Sequence, residues 1–231
     1  MQVTDGVHVL PLEYDFDDRA MTIHPTVVET DRGLLLVDAG LPGARDRVEA
    51  HLDDAGFDLA DVDLVLFTHQ DSDHVDGFHD LVADAEGFDP LVVAHAAEAP
   101  AIDGREEPIS KGGGGGERYE PVPVDLELVG DESVRTRAGP MRVVNTPGHT
   151  PGHVSLFFPD RDLLLAGDAL TAEDGRLDAP VPHFTPDWEE ARTSVRKLAN
   201  FEIDRIVCYH GGVVDADAAE VRRVHEEMGA E

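Results

Sequence analysis

The chain has 231 residues, 41% of them apolar, with 49 acidic against 18 basic side chains and a formal net charge of −31. That length and apolar share can bury a full core in a single domain. A surface so anionic repels phosphate backbones and lipid headgroups, which removes nucleic acid and membrane from the expected partners and leaves a small-molecule substrate, with oligomeric state open.

Only two basic residues are lysines, Lys111 and Lys197. Dense hydrated carboxylates with few lysines suit a salt-rich cytoplasm, where salt screens their mutual repulsion. Residues 1–14 hold no basic region and no long apolar stretch, so neither a signal peptide nor a membrane span is expected, and the location reads as cytoplasmic. Cys208, the lone cysteine, sits in the apolar run Ile206-Val207-Cys208-Tyr209 and reads as a small buried hydrophobe rather than a reactive thiol.

In chain order, residues 7–12, 26–30 and 34–37 are rich in Val, Leu and Thr and predict strands, the last two joined by a turn at Asp31-Arg32-Gly33. Residues 44–55 predict a helix with Val48, Leu52 and Ala55 on one face and Gly56 as its stop. Residues 62–67 form a near-continuous apolar strand, which implies burial on both faces. A polar loop over 68–77, a helix over 78–85 and a strand over 91–94 follow.

The segment 103–123 differs in kind. Five consecutive glycines, Gly112 to Gly116, lose too much backbone entropy to hold a fixed shape unaided, so a flexible surface loop is expected, with a lid over a substrate site as its functional alternative. Strands then return at 124–129, 133–137, 141–145, 154–158 and 163–166, with a turn at Asp160-Arg161. A helix over 188–200, a strand over 205–209 and a closing helix over 215–228 complete the chain. Two comparable batches of strands, each with helices attached, suit an α/β fold of two packed sheets with helices outside.

The segment after the buried strand reads Thr68-His69-Gln70-Asp71-Ser72-Asp73-His74. Four potential ligands within six residues of irregular backbone can turn towards a common centre, as a divalent cation requires. Two more histidine turns, residues 146–153 and Tyr209-His210-Gly211-Gly212, and one carboxylate turn, Ala166-Gly167-Asp168, also follow strands. Glycine beside each of the last three lets the backbone turn sharply.

These residues resemble the metallo-β-lactamase superfamily, in the branch that includes glyoxalase II-like hydrolases. Its metal motif, H-x-H-x-D-H, then a His in a P-G-H-T turn, an Asp and a His, is similar to His69, Asp71, Asp73, His74, His149, Asp168 and His210 here, over residues 7–212. The resemblance implies an αββα sandwich of two mixed β-sheets with two metals at one edge. It implies one metal on His69, Asp71 and His149, a second on Asp73, His74 and His210, Asp168 as the bridge, and Asp38 supporting a ligand imidazole from behind. Zinc is the first choice of metal. It also implies hydrolysis of a small ester, thioester or lactone-like substrate by a metal-bridging hydroxide that Asp73 helps to orient, with the general acid unassigned.

Three departures qualify the resemblance. Asp71 stands where the family has its second His, giving an H-x-D-x-D-H variant; the harder, anionic ligand shifts preference towards iron or manganese. The flavodiiron branch carries a carboxylate at this position, so a non-haem diiron redox protein is an alternative, as is a metal-binding protein without catalysis. Asp76-Gly77 replaces two glycines, and the roughly twenty residues after His210 are too few for the helical domain that binds glutathione in glyoxalase II, so a glutathione thioester is not the expected substrate. His153, four residues after His149, reads as structural, with support of the site as its alternative, and His183, in the loop 180–186, as an ordinary loop residue or a pocket wall.

Overall fold

The computed structural model describes residues 1–16, 19–83, 85, 87–109 and 118–229. The first half gives strands β1 (Gln2–Thr4), β2 (Val7–Val9), β3 (Leu12–Phe16), β4 (Arg19–Ile23), β5 (Thr26–Glu29) and β6 (Leu34–Val37), then helix α1 (Arg45–Ala55) and strand β7 (Val62–Phe67). Two short helices, α2 (Ser72–Val75) and α3 (Phe78–Val82), precede β8 (Leu91–His95), α4 (Ala99–Ile102) and β9 (Leu126–Leu128). The second half runs β10 (Ser133–Thr136), β11 (Gly139–Asn145), β12 (Val154–Phe158), β13 (Leu163–Gly167), β14 (Thr171–Glu173), β15 (Arg176–Asp178), α5 (Trp188–Leu198), β16 (Arg205–Cys208), β17 (Gly212–Val214) and α6 (Ala218–Glu227).

Among the described residues, seven strands form one sheet in the order β1-β2-β5-β6-β7-β8-β9, and six form the other in the order β10-β11-β12-β13-β16-β17. Both are mixed: β6 to β9 run parallel, as do β13 and β16, while the rest pair antiparallel. Alternation along the strands sets the layers. Leu35 and Val37 of β6 pack with Leu163 and Leu165 of β13 between the sheets, in a core that also holds Met141, Leu156 and Phe158. Leu34 and Leu36 face the other way, onto Val48 and Leu52 of α1, and Leu164 and Ala166 pack against Val195 and Leu198 of α5 and Val221 of α6. Each central strand is covered on both faces, so its sequence reads as an unbroken apolar run rather than an alternation. The result is the αββα sandwich.

Two departures from the sequence reading have local causes. The strand expected over 7–12 ends at Val9; after Pro11 a separate hairpin, β3–β4, begins at Leu12. The polar segment 68–77 is not all loop, because Ser72–Val75 closes one helical turn in which His74 N and Val75 N both donate to Asp71 O. The Gly112 to Gly116 run lies outside the described residues. Its described flanks are fixed: Ile109 N donates to Gln70 Oε1 and Tyr119 OH to Gln70 O.

Candidate metal centre

Strand direction brings the chemistry to one edge. Because β6 and β7 are parallel, with Val37 opposite Leu66, Asp38 leaves the sheet beside Thr68. The parallel pair β13 and β16 sets Gly167 opposite Cys208, so Asp168 and His210 emerge together. The β11–β12 hairpin carries His149 in its turn, tied off by Thr146 N donating to His153 O, and Val154 N donates to Thr68 O across the two sheets. At Gly211 the backbone takes φ +111°, and a Cβ would collide with the Ala172 carbonyl, so the turn presenting His210 requires glycine there.

All seven residues named from the sequence as ligands converge. His69, Asp71 and His149 form one group of donor atoms within 4.8 Å of one another, and Asp73, His74 and His210 form another; His69, His74 and Asp168 form a third between them. Asp71 Oδ2 lies 3.4 Å from His69 Nε2 and 3.1 Å from His149 Nε2. Asp73 Oδ2 lies 3.1 Å from His210 Nε2. Asp168 reaches both sides: its Oδ2 is 3.4 Å from His149 Nε2 and 3.4 Å from His210 Nε2, and its Oδ1 is 3.5 Å from His74 Nε2.

The imidazole tautomers follow from what lies behind the rings. His74 Nδ1 donates to Asp38 Oδ2 at 2.8 Å. Thr68 N also donates to this carboxylate, as does the Thr68 hydroxyl, which in turn accepts from His69 Nδ1 at 3.1 Å. Both rings therefore turn Nε2 inward. Asp38 holds φ +62°, a left-handed conformation that aspartate tolerates better than most residues. His153 backs the site as well: its Nε2 accepts from Asp168 N at 2.9 Å, which leaves its Nδ1 to donate to Thr146 Oγ1. The Tyr209 ring stacks 3.7 Å from His74, and its hydroxyl donates to Asp73 O at 2.5 Å.

Of seven buried side-chain polar atoms without a hydrogen-bond partner among the described residues, three belong to the cluster: His69 Nε2, His74 Nε2 and Asp168 Oδ1. Each such orphan costs about 1–3 kcal/mol, and all three face the same cluster. Ligand atoms about 2.0–2.2 Å from a tetrahedral cation lie about 3.3–3.6 Å apart, close to most of the 3.1–3.9 Å spacings found here, the widest being His74 Nε2 to Asp73 Oδ2. The donor set fits divalent cations on both counts.

Electrostatics agree. Burial, then the charge of His74, pushes His69 well below the usual imidazole range. Burial opposes charge on His74 too, but Asp38, Asp168 and Asp73 outweigh it and raise His74 well above that range. His210 is pushed up to about 10, with burial again outweighed, here by Asp168 and Asp73. Asp168 is held well below the usual carboxylate range, because His210 and His74 overcome its burial. Asp168 thus stays ionised and demands positive charge.

Other sequence expectations resolve simply. Cys208 is fully buried and burial raises its thiol, so it is inert packing. His183 is exposed in a short turn, Pro182–Phe184, while its neighbour Thr185 lies at the cluster, with its Oγ1 3.5 Å from His149 Nδ1. Thr185 and Tyr209 were not legible as site residues, since neither type signals chemistry by itself. Among the described residues no helix is long and apolar enough to cross a membrane.

Comparison with known proteins places this geometry in a family. The chain is 31% identical over 201 residues to the probable metallo-hydrolase YflN of Bacillus subtilis, covering 77% of this chain and 75% of that one. It is 34% identical over 158 residues to a hydroxyacylglutathione hydrolase of Cereibacter sphaeroides, covering 68% of this chain but only half of that protein. The crystal structure of a metallo-β-lactamase family protein from Thermus thermophilus superposes with a TM-score of 0.75 at 25% identity, over 99% of this chain and 80% of that one. The model of the metallo-β-lactamase superfamily matches residues 20–210, a span that runs from the second strand of the β3–β4 hairpin to the last histidine of the cluster, and the chain belongs to that superfamily.

Proposed function

We propose that the protein is a dinuclear metal-dependent hydrolase acting on a small ester, thioester or lactone-like substrate. The observation that carries this reading is the trio of buried, partnerless donor atoms on His69, His74 and Asp168, set in a ring of further imidazoles and carboxylates. His69, Asp71 and His149 would hold one cation and Asp73, His74 and His210 the other, with Asp168 shared. Zinc is the favoured occupant, and the carboxylate of Asp71 widens the choice to iron or manganese. Such cations supply Lewis-acid polarisation of a carbonyl and acidify water.

The chain's own residues do the rest. His69, His74 and His153 are fully buried, whereas Asp71, Asp73 and His210 retain 22%, 24% and 29% side-chain exposure. Substrate therefore approaches over that open rim. Asp73 stands on it, with its main chain anchored by Tyr209, and its carboxylate would help to orient an incoming water. Asp38 and Thr68 hold the His74 and His69 rings still, so little reorganisation is needed when charge develops.

Hydrolysis of a panel of esters, thioesters and lactones in concentrated potassium chloride tests the reading. Thioesters belong in the panel because relatives are named hydroxyacylglutathione hydrolase. Activity that chelation removes and zinc restores is the expected result; metal-loaded protein inert on the whole panel would move the assignment to a metal-binding role without catalysis. A non-haem diiron redox protein is the second reading, favoured by the Asp71 carboxylate at 3.1 Å from His149. Two irons per chain with oxygen consumption would select it.

A further inference from the structure

Three acidic side chains are buried among the described residues: Asp38, Asp168 and Glu98. The first two belong to the histidine cluster. Glu98 does not, and no Lys, Arg or His stands within ion-pair range of it among the described residues. A fully buried carboxylate without a cation is costly unless N–H donors surround it.

Glu98 has such donors, and they come from two different places. Its Oε2 accepts from Gln70 N at 2.9 Å and from Gln70 Nε2 at 2.8 Å. Its Oε1 accepts from Gly152 N at 2.6 Å. Gln70 lies between His69 and Asp71, and Gly152 closes the turn that presents His149. One carboxylate therefore spans the two loops that supply the His69, Asp71 and His149 donors. The close approach is built in: a Cβ at Gly152 would lie 2.5 Å from His95 Nδ1 and 3.0 Å from Glu98 Cγ. The Gln70 amide is fixed from its other end by Ile109 N donating to Oε1 at 2.7 Å.

We infer that Glu98 is a positioning residue for the cation site formed by His69, Asp71 and His149, and not for the site formed by Asp73, His74 and His210. The inference rests on the dinuclear reading. Glutamine at this position keeps the volume but replaces one oxygen by an NH₂ group. That donor must face either Gly152 N–H or the Gln70 pair, so one of the two loops is released.

Full-length wild type and E98Q, both stripped with chelator, are titrated with Zn²⁺ alone against a chromophoric competitor. Asp71→Ala and His210→Ala identify which binding step belongs to which site. E98Q should weaken the Asp71-dependent step about tenfold or more, as orienting partners of metal ligands do, and leave the His210-dependent step within about twofold. A general loss of packing would weaken both steps together, and that result, or no change in either, overturns the inference. Wild type that binds fewer than two ions overturns the dinuclear cage, and the inference with it. If E98Q does not fold, Gln70→Met takes its place, since it keeps both main-chain bonds to Glu98. It removes the side-chain bond to Glu98 and the one from Ile109 N and should weaken the Asp71-dependent step alone, by about fivefold or more; equal weakening of both steps, or of neither, again overturns the inference.

Discussion

Asp38→Asn isolates the support behind the cluster from the cluster itself. The Asp38 carboxylate accepts from Thr68 N at 2.8 Å, from the Thr68 hydroxyl and from His74 Nδ1 at 2.8 Å, all in a fully buried setting. Asparagine matches its shape and tolerates φ +62° comparably, so the backbone is held constant. Its single carbonyl oxygen can serve His74 or Thr68 N–H but not both, and its NH₂ faces the other donor. One buried N–H is orphaned, at about 1–3 kcal/mol. For a chain of this size that lowers the melting temperature of metal-free protein by roughly 2–4 °C per kcal/mol. Loss of the His74 anchor should also cost about 10–100-fold in affinity for the cation at Asp73, His74 and His210. Thermal unfolding by circular dichroism on chelator-treated protein, with a competitive zinc titration, measures both effects. A melting temperature within a degree of wild type and zinc affinity within twofold would refute the orientation argument.

Asp168→Ala removes the one carboxylate that reaches both histidine groups, so hydrolytic activity should fall by at least about 100-fold, more than for loss of an orienting group; full activity in that variant would refute the shared-bridge model. Asp71→His replaces a hard anionic ligand with imidazole, and metal analysis of protein grown with mixed metals should show a shift towards zinc. An unchanged metal profile would count against the hardness argument. The formal charge of −31 predicts that the melting temperature rises between low and molar potassium chloride as repulsion is screened, and a flat or falling curve would show that charge crowding does not limit stability.

The central architecture and the cluster were legible for a shared reason. Strands covered on both faces, such as Leu163–Gly167, announce themselves as apolar runs, and the ligands are dense imidazoles and carboxylates placed directly after such runs. What escaped notice lacks local contrast. The β3–β4 hairpin mixes charged and apolar residues, and the three-residue strands β14 and β15 are too short to show a period. Glu98 is one acid among 49, and only the fold, by bringing Gln70 and Gly152 to its two oxygens, distinguishes it. His153 stands four residues beyond His149 with no pattern to separate a support of the site from a merely structural residue; the amide of Asp168 bound to its Nε2 gives it the supporting position. The single helical turn at Ser72–Val75 is four residues long, below the length at which periodicity carries information.

The count of divalent ions bound per chain bears most directly on the whole account. Protein stripped with chelator, reloaded with zinc, freed of excess and analysed by mass spectrometry for metal against protein should hold two ions per chain. Holding none would mean that His69, His149 and His210 meet for reasons other than metal, and holding one would contradict the paired arrangement around Asp168.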